Sequence, residues 1–390
     1  MIFKDIIEYY KIVSGCGGYY YPSGVWRRSL IGLPFSFTSW FRALQGENCL
    51  LHGKHAYLKN LSEKHPVLLY YRAYSLYICG DFQKAFYCAS QFCIYAPHHR
   101  EGKYLLSDIL DSMGKKQQAF DVLTEDWLIS KHKTWIKLAN LVSNVQDFIY
   151  FENIYHMSLS KKLIVENDKC ILKSFAMGAQ RCGKYDKALD IWSKVVNMSG
   201  NIYDEKKKIY PIFAKEALHA LNAAFDKEGL QLFLISGTLL GLMRIGDFLP
   251  HDFDLDTGIF SGFDSHKLRN AIYASGCFTI MAQRSPHCIR VRHVNGTPID
   301  IFIHYRGHND FWHGGVKVSW HNSPFGLKRV NFKGQEVFIP DNPEKYLEEN
   351  YGPDWRTPVV NFDSSRDCPN SRVENQFEVY IHNLKSGVLA

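Results

Sequence analysis

The sequence contains no C-x-x-C pair; its ten cysteines, among them Cys16, Cys49, Cys88, Cys93, Cys170 and Cys277, are scattered. That spacing argues against a zinc knuckle or a disulfide framework and predicts free thiols in a reducing compartment, without zinc. No uninterrupted apolar run reaches the roughly 18 residues that a membrane-spanning helix needs. The start, Met1-Ile2-Phe3-Lys4-Asp5-Ile6, turns charged at once and carries no secretory apolar core. No Walker-type loop, Gly-x-Ser-x-Gly elbow or dinucleotide fingerprint occurs. The net charge of +7 is mild for 390 residues, and the longest basic run is Lys206-Lys207-Lys208. No nucleic-acid stripe results, so no nucleic-acid partner is expected. The expectation is a cytoplasmic protein whose membrane contact is at most peripheral, at the inner face of the cytoplasmic membrane.

What is present is apolar material: 46% of residues are hydrophobic and 15% aromatic, with 23 Tyr and 26 Phe. A chain of this length and composition predicts about two folded domains. An α+β protein is expected, with a helical repeat array followed by a mixed-sheet domain. Residues 1–64, with Tyr19-Tyr20-Tyr21-Pro22 and Gly32-Leu33-Pro34, read as loops among short helices without an assigned role. Residues 65–205 read as helical repeats, and 206–390 as the sheet domain.

The repeat is visible in three echoes: Gly80-Asp81-Phe82-Gln83-Lys84-Ala85, Gly114-Lys115-Lys116-Gln117-Gln118-Ala119 and Gly183-Lys184-Tyr185-Asp186-Lys187-Ala188. The first two glycines are 34 positions apart and the third follows after 69, about two such periods, with a degenerate unit near Gln146-Asp147-Phe148 between them. Gly permits a left-handed turn between two helices, and Ala five residues later allows their close approach. This pattern resembles tetratricopeptide repeats. Such arrays hold partners or brace a neighbouring domain, so docking of a protein partner or of the acceptor and a bracing role both stay open.

After Lys215 the pattern changes. Glu216 to Lys227 reads as an amphipathic helix, and Leu232-Phe233-Leu234-Ile235 as a short strand. The strand delivers Ser236-Gly237-Thr238 to a new helix, Leu239-Leu240-Gly241-Leu242-Met243-Arg244. A hydroxyl, a glycine and unpaired N–H groups at a helix start can seat a phosphate. The stretch Pro250-His251-Asp252-Phe253-Asp254-Leu255-Asp256 then places acids at alternate positions. If Phe253–Asp256 is extended, Asp254 and Asp256 share one face, and two like charges side by side call for a cation between them. Mg²⁺ or Mn²⁺ suits such hard oxygen ligands, while an exposed acidic edge is the plain alternative. Asp300 interrupts the apolar strand Ile299-Asp300-Ile301-Phe302. A lone buried carboxylate is costly unless paired or metal-bound, so it joins the candidate metal site or acts as general base. Arg290 and Arg292 alternate on a predicted strand, facing a ligand or simply solvent. The histidines His293, His304, His308, His313 and His321 read as loop or core residues.

In their order these motifs resemble the LicD/fukutin family, and Trp312-His313-Gly314-Gly315 and Asn350-Tyr351-Gly352-Pro353-Asp354-Trp355 add to the likeness. The resemblance implies a nucleotidyltransferase-like fold and transfer of phosphocholine or an alditol phosphate from a CDP-linked donor to a glycan hydroxyl. Capsule, lipopolysaccharide or a teichoic-type polymer would be the acceptor. Carried over, Asp254, Asp256 and Asp300 would be catalytic and metal-binding, with Asp300 as base or further ligand. Ser236, Gly237 and Thr238 would meet the donor phosphates and Arg244 would neutralise charge nearby. Tyr351, Gly352 and Trp355 would shape the pocket. Two other readings stay open: a Mn²⁺-dependent glycosyltransferase using a nucleotide sugar, and an inactive scaffold built on the repeats.

Overall fold

Three glycines organise the first half of the chain. Gly80, Gly114 and Gly183 have φ of 78°, 74° and 78°, values that cost a side-chain-bearing residue energy and glycine nothing. After each, the next N–H reaches back five residues to a helical carbonyl: Asp81 to Leu76, Lys115 to Leu110 and Lys184 to Ala179, each at 2.9 Å. This is the Schellman closure, which satisfies the last carbonyls of one helix while turning the chain into the next. The alanines five residues on, Ala85, Ala119 and Ala188, are wholly buried where the helices meet.

The computed structural model describes residues 37–62, 65–198 and 211–388, and these divide into two units. The Tyr- and Pro-containing loops expected near 19–34, and the lysine run at 206–208, lie outside the described residues. The first unit is helical: α1 (Phe37–Leu51), α2 (His55–Ser62), α3 (Leu68–Ile78), α4 (Phe82–Tyr95), α5 (Arg100–Ser112), α6 (Lys116–Asp121), α7 (Asp126–Ile129), α8 (His132–Leu141), α9 (Val145–Ser160), α10 (Lys169–Arg181) and α11 (Tyr185–Asn197). Helix α3 packs on α4, α5 on α6, and α10 on both α8 and α11. One apolar core runs through them, with Phe92, Phe120, Trp135, Phe148 and Phe151 buried. The second hairpin is abridged: α6 stops at Asp121, where Leu123 and Thr124 donate back to Phe120 and Asp121, and the short α7 follows. The degenerate unit near Gln146 has no glycine turn and begins instead at the Asn144 cap, whose side chain accepts from Asp147 N–H.

In the second unit α12 (Pro211–Lys227) comes first among the described residues and already includes the five residues before the expected start. Then come β1 (Phe233–Leu234), α13 (Ser236–Ile245), β2 (Leu255–Phe260), α14 (Ser265–Ser275), β3 (Phe278–Ile280), β4 (Cys288–His293), β5 (Pro298–Arg306), β6 (Phe311–Gly314), β7 (Val318–Asn322), β8 (Leu327–Phe332), β9 (Gln335–Pro340), α15 (Pro343–Tyr351), α16 (Ser364–Asp367) and β10 (Ser371–Val373). The final helix, α17 (Gln376–Ser386), spans the division, since residues from Tyr380 onward belong to the first unit, whose core includes Ile381. The strands form one mixed sheet in the order β10-β7-β6-β5-β2-β1-β9-β8, with β4 also paired to β5 and β3 to β4. Strands β2 and β5 are parallel and β4 runs antiparallel to β5. Leu255, Ile299, Ile301 and Val291 on these strands are fully buried, and Phe233 and Leu239 join the same core. That apolar packing fixes the register, and the register decides what the polar residues between them can meet.

Candidate active site

The parallel register pairs Asp256 of β2 with Asp300 of β5, and the antiparallel register pairs Arg290 of β4 with the same Asp300. Three adjacent strands thus present acid, acid and base in one row, although 44 positions separate Asp256 from Asp300. Asp254 precedes β2 by one residue, in a bend, rather than lying within the strand as expected. With Asp252 it approaches Asp256 from the incoming loop.

The start of α13 closes the site from the other side. Ser236, although not glycine, has φ 44°, the left-handed region. That twist aims Gly237 N–H at the Asp256 carboxylate, Oδ2, at 3.0 Å. The Thr238 hydroxyl, buried, accepts from Asp256 N–H at 2.8 Å. A Cβ placed on Gly237 would stand 2.8 Å from Asp252 Oδ2 and 3.1 Å from Asp256 Oδ2, so those two oxygens are no more than about 6 Å apart. A methyl group here would press on the ends of both carboxylates, which glycine leaves undisturbed.

Burial and the surrounding charges of Asp254, Asp252 and Asp300 push the Asp256 carboxyl well above the usual carboxylate range, while the Gly237 N–H draws it back. Against this excess of negative charge stands Arg290. Its Nε donates to Asp300 Oδ1 at 2.9 Å. Burial alone would lower the Arg290 pKa, and the Asp300 and Asp254 carboxylates more than offset that, raising it. Cys288, one turn of the pleat along β4, is pushed up by burial and by Asp300. From α15, the buried Tyr346 and the half-buried Tyr351 feel the Asp256 charge, and desolvation above all raises both.

The remaining motif residues are placed differently. Arg244 donates from Nε to the Trp355 carbonyl at 2.6 Å and from a terminal nitrogen to the Trp355 and Thr357 carbonyls. Its hydrogen bonds hold the turn after α15 rather than a carboxylate. His304 and His313 are buried and stacked at 4.3 Å in the sheet, and His293 is buried as well; burial pulls His304 to about 3 and His293 to about 4. The acids lie near enough to one another to disfavour the Asp256 anion, as the side chains around a hard divalent cation would, although among the described residues no three of their oxygens lie within 4.8 Å of one another.

The unit is thus a mixed sheet that brings acids on adjacent strands beside the start of a helix at Ser236. Residues 229–342 match the family model described as LicD/FKTN/FKRP, nucleotidyltransferase domain. Over 166 residues the chain is 28% identical to the ribitol-5-phosphate transferase FKTN of Macaca fascicularis and 27% identical to that of Homo sapiens, covering 40% of this chain and 36% of each relative. An uncharacterized protein of Rickettsia prowazekii is 27% identical over 168 residues, covering 39% of this chain and 60% of that one. The chain therefore matches little more than a third of the FKTN relatives' length. Among the described residues no helix is long and apolar enough to cross a membrane, and the nine described cysteines are free.

Proposed function

We propose that the second unit transfers a phospho-alditol group, of the ribitol phosphate or related class, from a CDP-linked donor to a hydroxyl of a cell-surface glycan. The observation that carries this reading is the placing of Asp252 and Asp256 at the start of α13, with Asp254 and Asp300 near enough to Asp256 to disfavour its anion and Arg290 paired to Asp300. The sequence likeness to ribitol-5-phosphate transferases supports the transferred group, and the family resemblance supports the CDP-linked donor.

Mg²⁺ or Mn²⁺ would be held by Asp254 and Asp256, and when bound it would supply neutralisation of the donor diphosphate. The chain's own residues do the rest. Asp300, oriented by Arg290 through Oδ1, keeps Oδ2 to receive the proton of the acceptor hydroxyl. The acceptor oxygen then bonds to the donor phosphorus, the bond from phosphorus to the CMP oxygen breaks, and CMP leaves with that electron pair. The unengaged guanidinium nitrogens of Arg290 are placed to meet the phosphoryl oxygens, a part the sequence reading gave to Arg244. Gly237 and Thr238 act by fixing Asp256, and the Ser236 hydroxyl meets the phosphate at the helix start. Catalysis on this scheme is mainly positioning and charge compensation.

The test is a donor screen. The protein is incubated with Mg²⁺ or Mn²⁺, a glycan acceptor, and CDP-ribitol, CDP-glycerol, CDP-choline or UDP-sugars, with nucleotide release followed by mass detection. CMP formed from a CDP-alditol and lost in Asp254→Asn and Asp300→Asn is the expected result. UDP formed from a UDP-sugar would replace this reading with a glycosyltransferase, and no product from any donor would leave a scaffold.

A further inference from the structure

The first unit contains a second set of metal-ligating side chains, of different chemistry from the carboxylate cluster. His132 opens α8, Asp168 caps α10, and Cys170 lies in the first turn of α10. Because α8 and α10 pack side by side, these positions meet at one end of the pair. One ligand atom from each residue lies within 4.8 Å of the other two. Asp168 divides its carboxylate between two tasks. Oδ1 accepts from Cys170 N–H at 2.9 Å and Ile171 N–H at 3.1 Å, which locks the side chain to its own helix. Oδ2 faces outward to His132 Nε2 at 2.8 Å. A donor held by a hydrogen-bonded partner is pre-ordered for a metal.

We propose that His132 Nε2, Asp168 Oδ2 and Cys170 Sγ form a three-ligand site for Zn²⁺ or a comparable borderline-soft divalent cation, with water as the fourth ligand. The nitrogen, oxygen and sulfur set selects zinc over magnesium. With metal–nitrogen and metal–oxygen bonds of about 2.1 Å, tetrahedral geometry sets nitrogen and oxygen about 3.4 Å apart, so the present His–Asp contact has to open by roughly half an ångström. Sulfur, at about 2.3 Å from the metal, then stands about 3.6 Å from either, within reach of a rotamer change at an exposed cysteine. His132 and Cys170 are both exposed, which supplies an entry path and room for the water. Binding breaks the His132–Asp168 hydrogen bond and needs the imidazole as the Nδ1–H tautomer, so the Nε2 proton leaves to solvent as Nε2 bonds to the ion. The Cys170 thiol likewise releases its proton to solvent as its sulfur bonds to the ion. The bound ion ties together helices 36 positions apart in sequence and stiffens the array between them. Sequence spacing predicted no zinc because such rules read ligands close together on one segment, and His132 stands a whole helix pair away from Asp168-x-Cys170.

The full-length protein, stripped with a chelator, is titrated with Co²⁺ and then with Zn²⁺. The expected result is a near-ultraviolet thiolate-to-cobalt charge-transfer band with tetrahedral visible bands, displaced by Zn²⁺. Cys170→Ser should abolish the charge-transfer band, and His132→Ala should weaken Zn²⁺ binding by roughly tenfold or more. Cys79→Ser, which removes another exposed thiol, should leave both unchanged. No band in the unmutated protein, a band that survives Cys170→Ser, or equal Zn²⁺ affinity in His132→Ala overturns the proposal. All three substitutions leave the carboxylate cluster of the second unit intact.

Discussion

Asp256→Asn should make the metal-free protein more stable while abolishing transfer. The Asp256 carboxyl sits among Asp252, Asp254 and Asp300 and its anion is disfavoured by burial and by all three. At a separation of roughly 6 Å and an effective dielectric of about 20, one like-charge neighbour costs about 3 kcal/mol. Arg290, partial access of water and protonation of Asp256 itself absorb much of that, which leaves a net relief of about 1–2 kcal/mol. Asparagine has nearly the same shape, keeps an oxygen to accept from Gly237 N–H, and turns an amide donor toward the remaining acids. For a unit of this size the gain corresponds to roughly 3–6 °C in Tm. Thermal unfolding is measured with a chelator and again with Mg²⁺, beside nucleotide release from the CDP-linked donor. Mg²⁺ should raise the Tm of the unmutated protein and raise that of the variant much less, so the order of stability narrows or reverses. A variant less stable than its parent in chelator, or one stabilised equally by Mg²⁺, would refute the idea that a surplus of charge at Asp256 is what the cation relieves.

Three further outcomes follow from the same geometry. Gly237→Ala should fold, since the new methyl meets only the ends of Asp252 and Asp256, but should lose about 100-fold in turnover because those ends are displaced; assay of turnover beside Tm checks this. Gly241→Ala should strike the fold instead, because its methyl would stand 2.5 Å from the Asp247 carbonyl oxygen, and an urea midpoint should report a loss of about 1–3 kcal/mol. Buried His304 and His293 are held neutral, near 3 and 4, whereas the unfolded chain takes their protons near 6.5. Their stabilisation is thus fully present above pH 6.5 and is lost as pH falls toward 4, with about 3 kcal/mol gone for the pair by pH 5. Urea unfolding at pH 6.5 and 5 should show that drop, and His304→Phe should remove about half of it; an unchanged drop would count against the assignment.

Much of this was legible before the fold was known, and the reasons differ by residue. Gly80, Gly114 and Gly183 announce their turns because a left-handed residue at a helix end has few chemical solutions, and glycine is the cheapest. Asp254 and Asp256 stand two apart, close enough for local alternation to suggest a shared direction, although Asp254 proves to belong to the bend before β2. Asp300 was visible as a polar interruption of an apolar strand. What local pattern does not contain is pairing across the sheet. Arg290 becomes the partner of Asp300 only through the β4–β5 register, while Arg244, nearer to the acids in sequence, reaches the carbonyls of Trp355 and Thr357 through tertiary packing. The abridged α6 was equally hidden, since Lys116–Ala119 follows the same opening as its two longer counterparts and the difference arises from where Leu123 is buried.

Ser236 has one more implication. A serine wound left-handed is dearer than a glycine in the same place by about 1 kcal/mol, so relief was available from the loss of a single hydroxymethyl group. Ser236→Gly should accordingly harden the protein against heat and dull it as a catalyst. Unchanged turnover in that variant would show that the strained backbone, and not the hydroxyl, is what the site keeps.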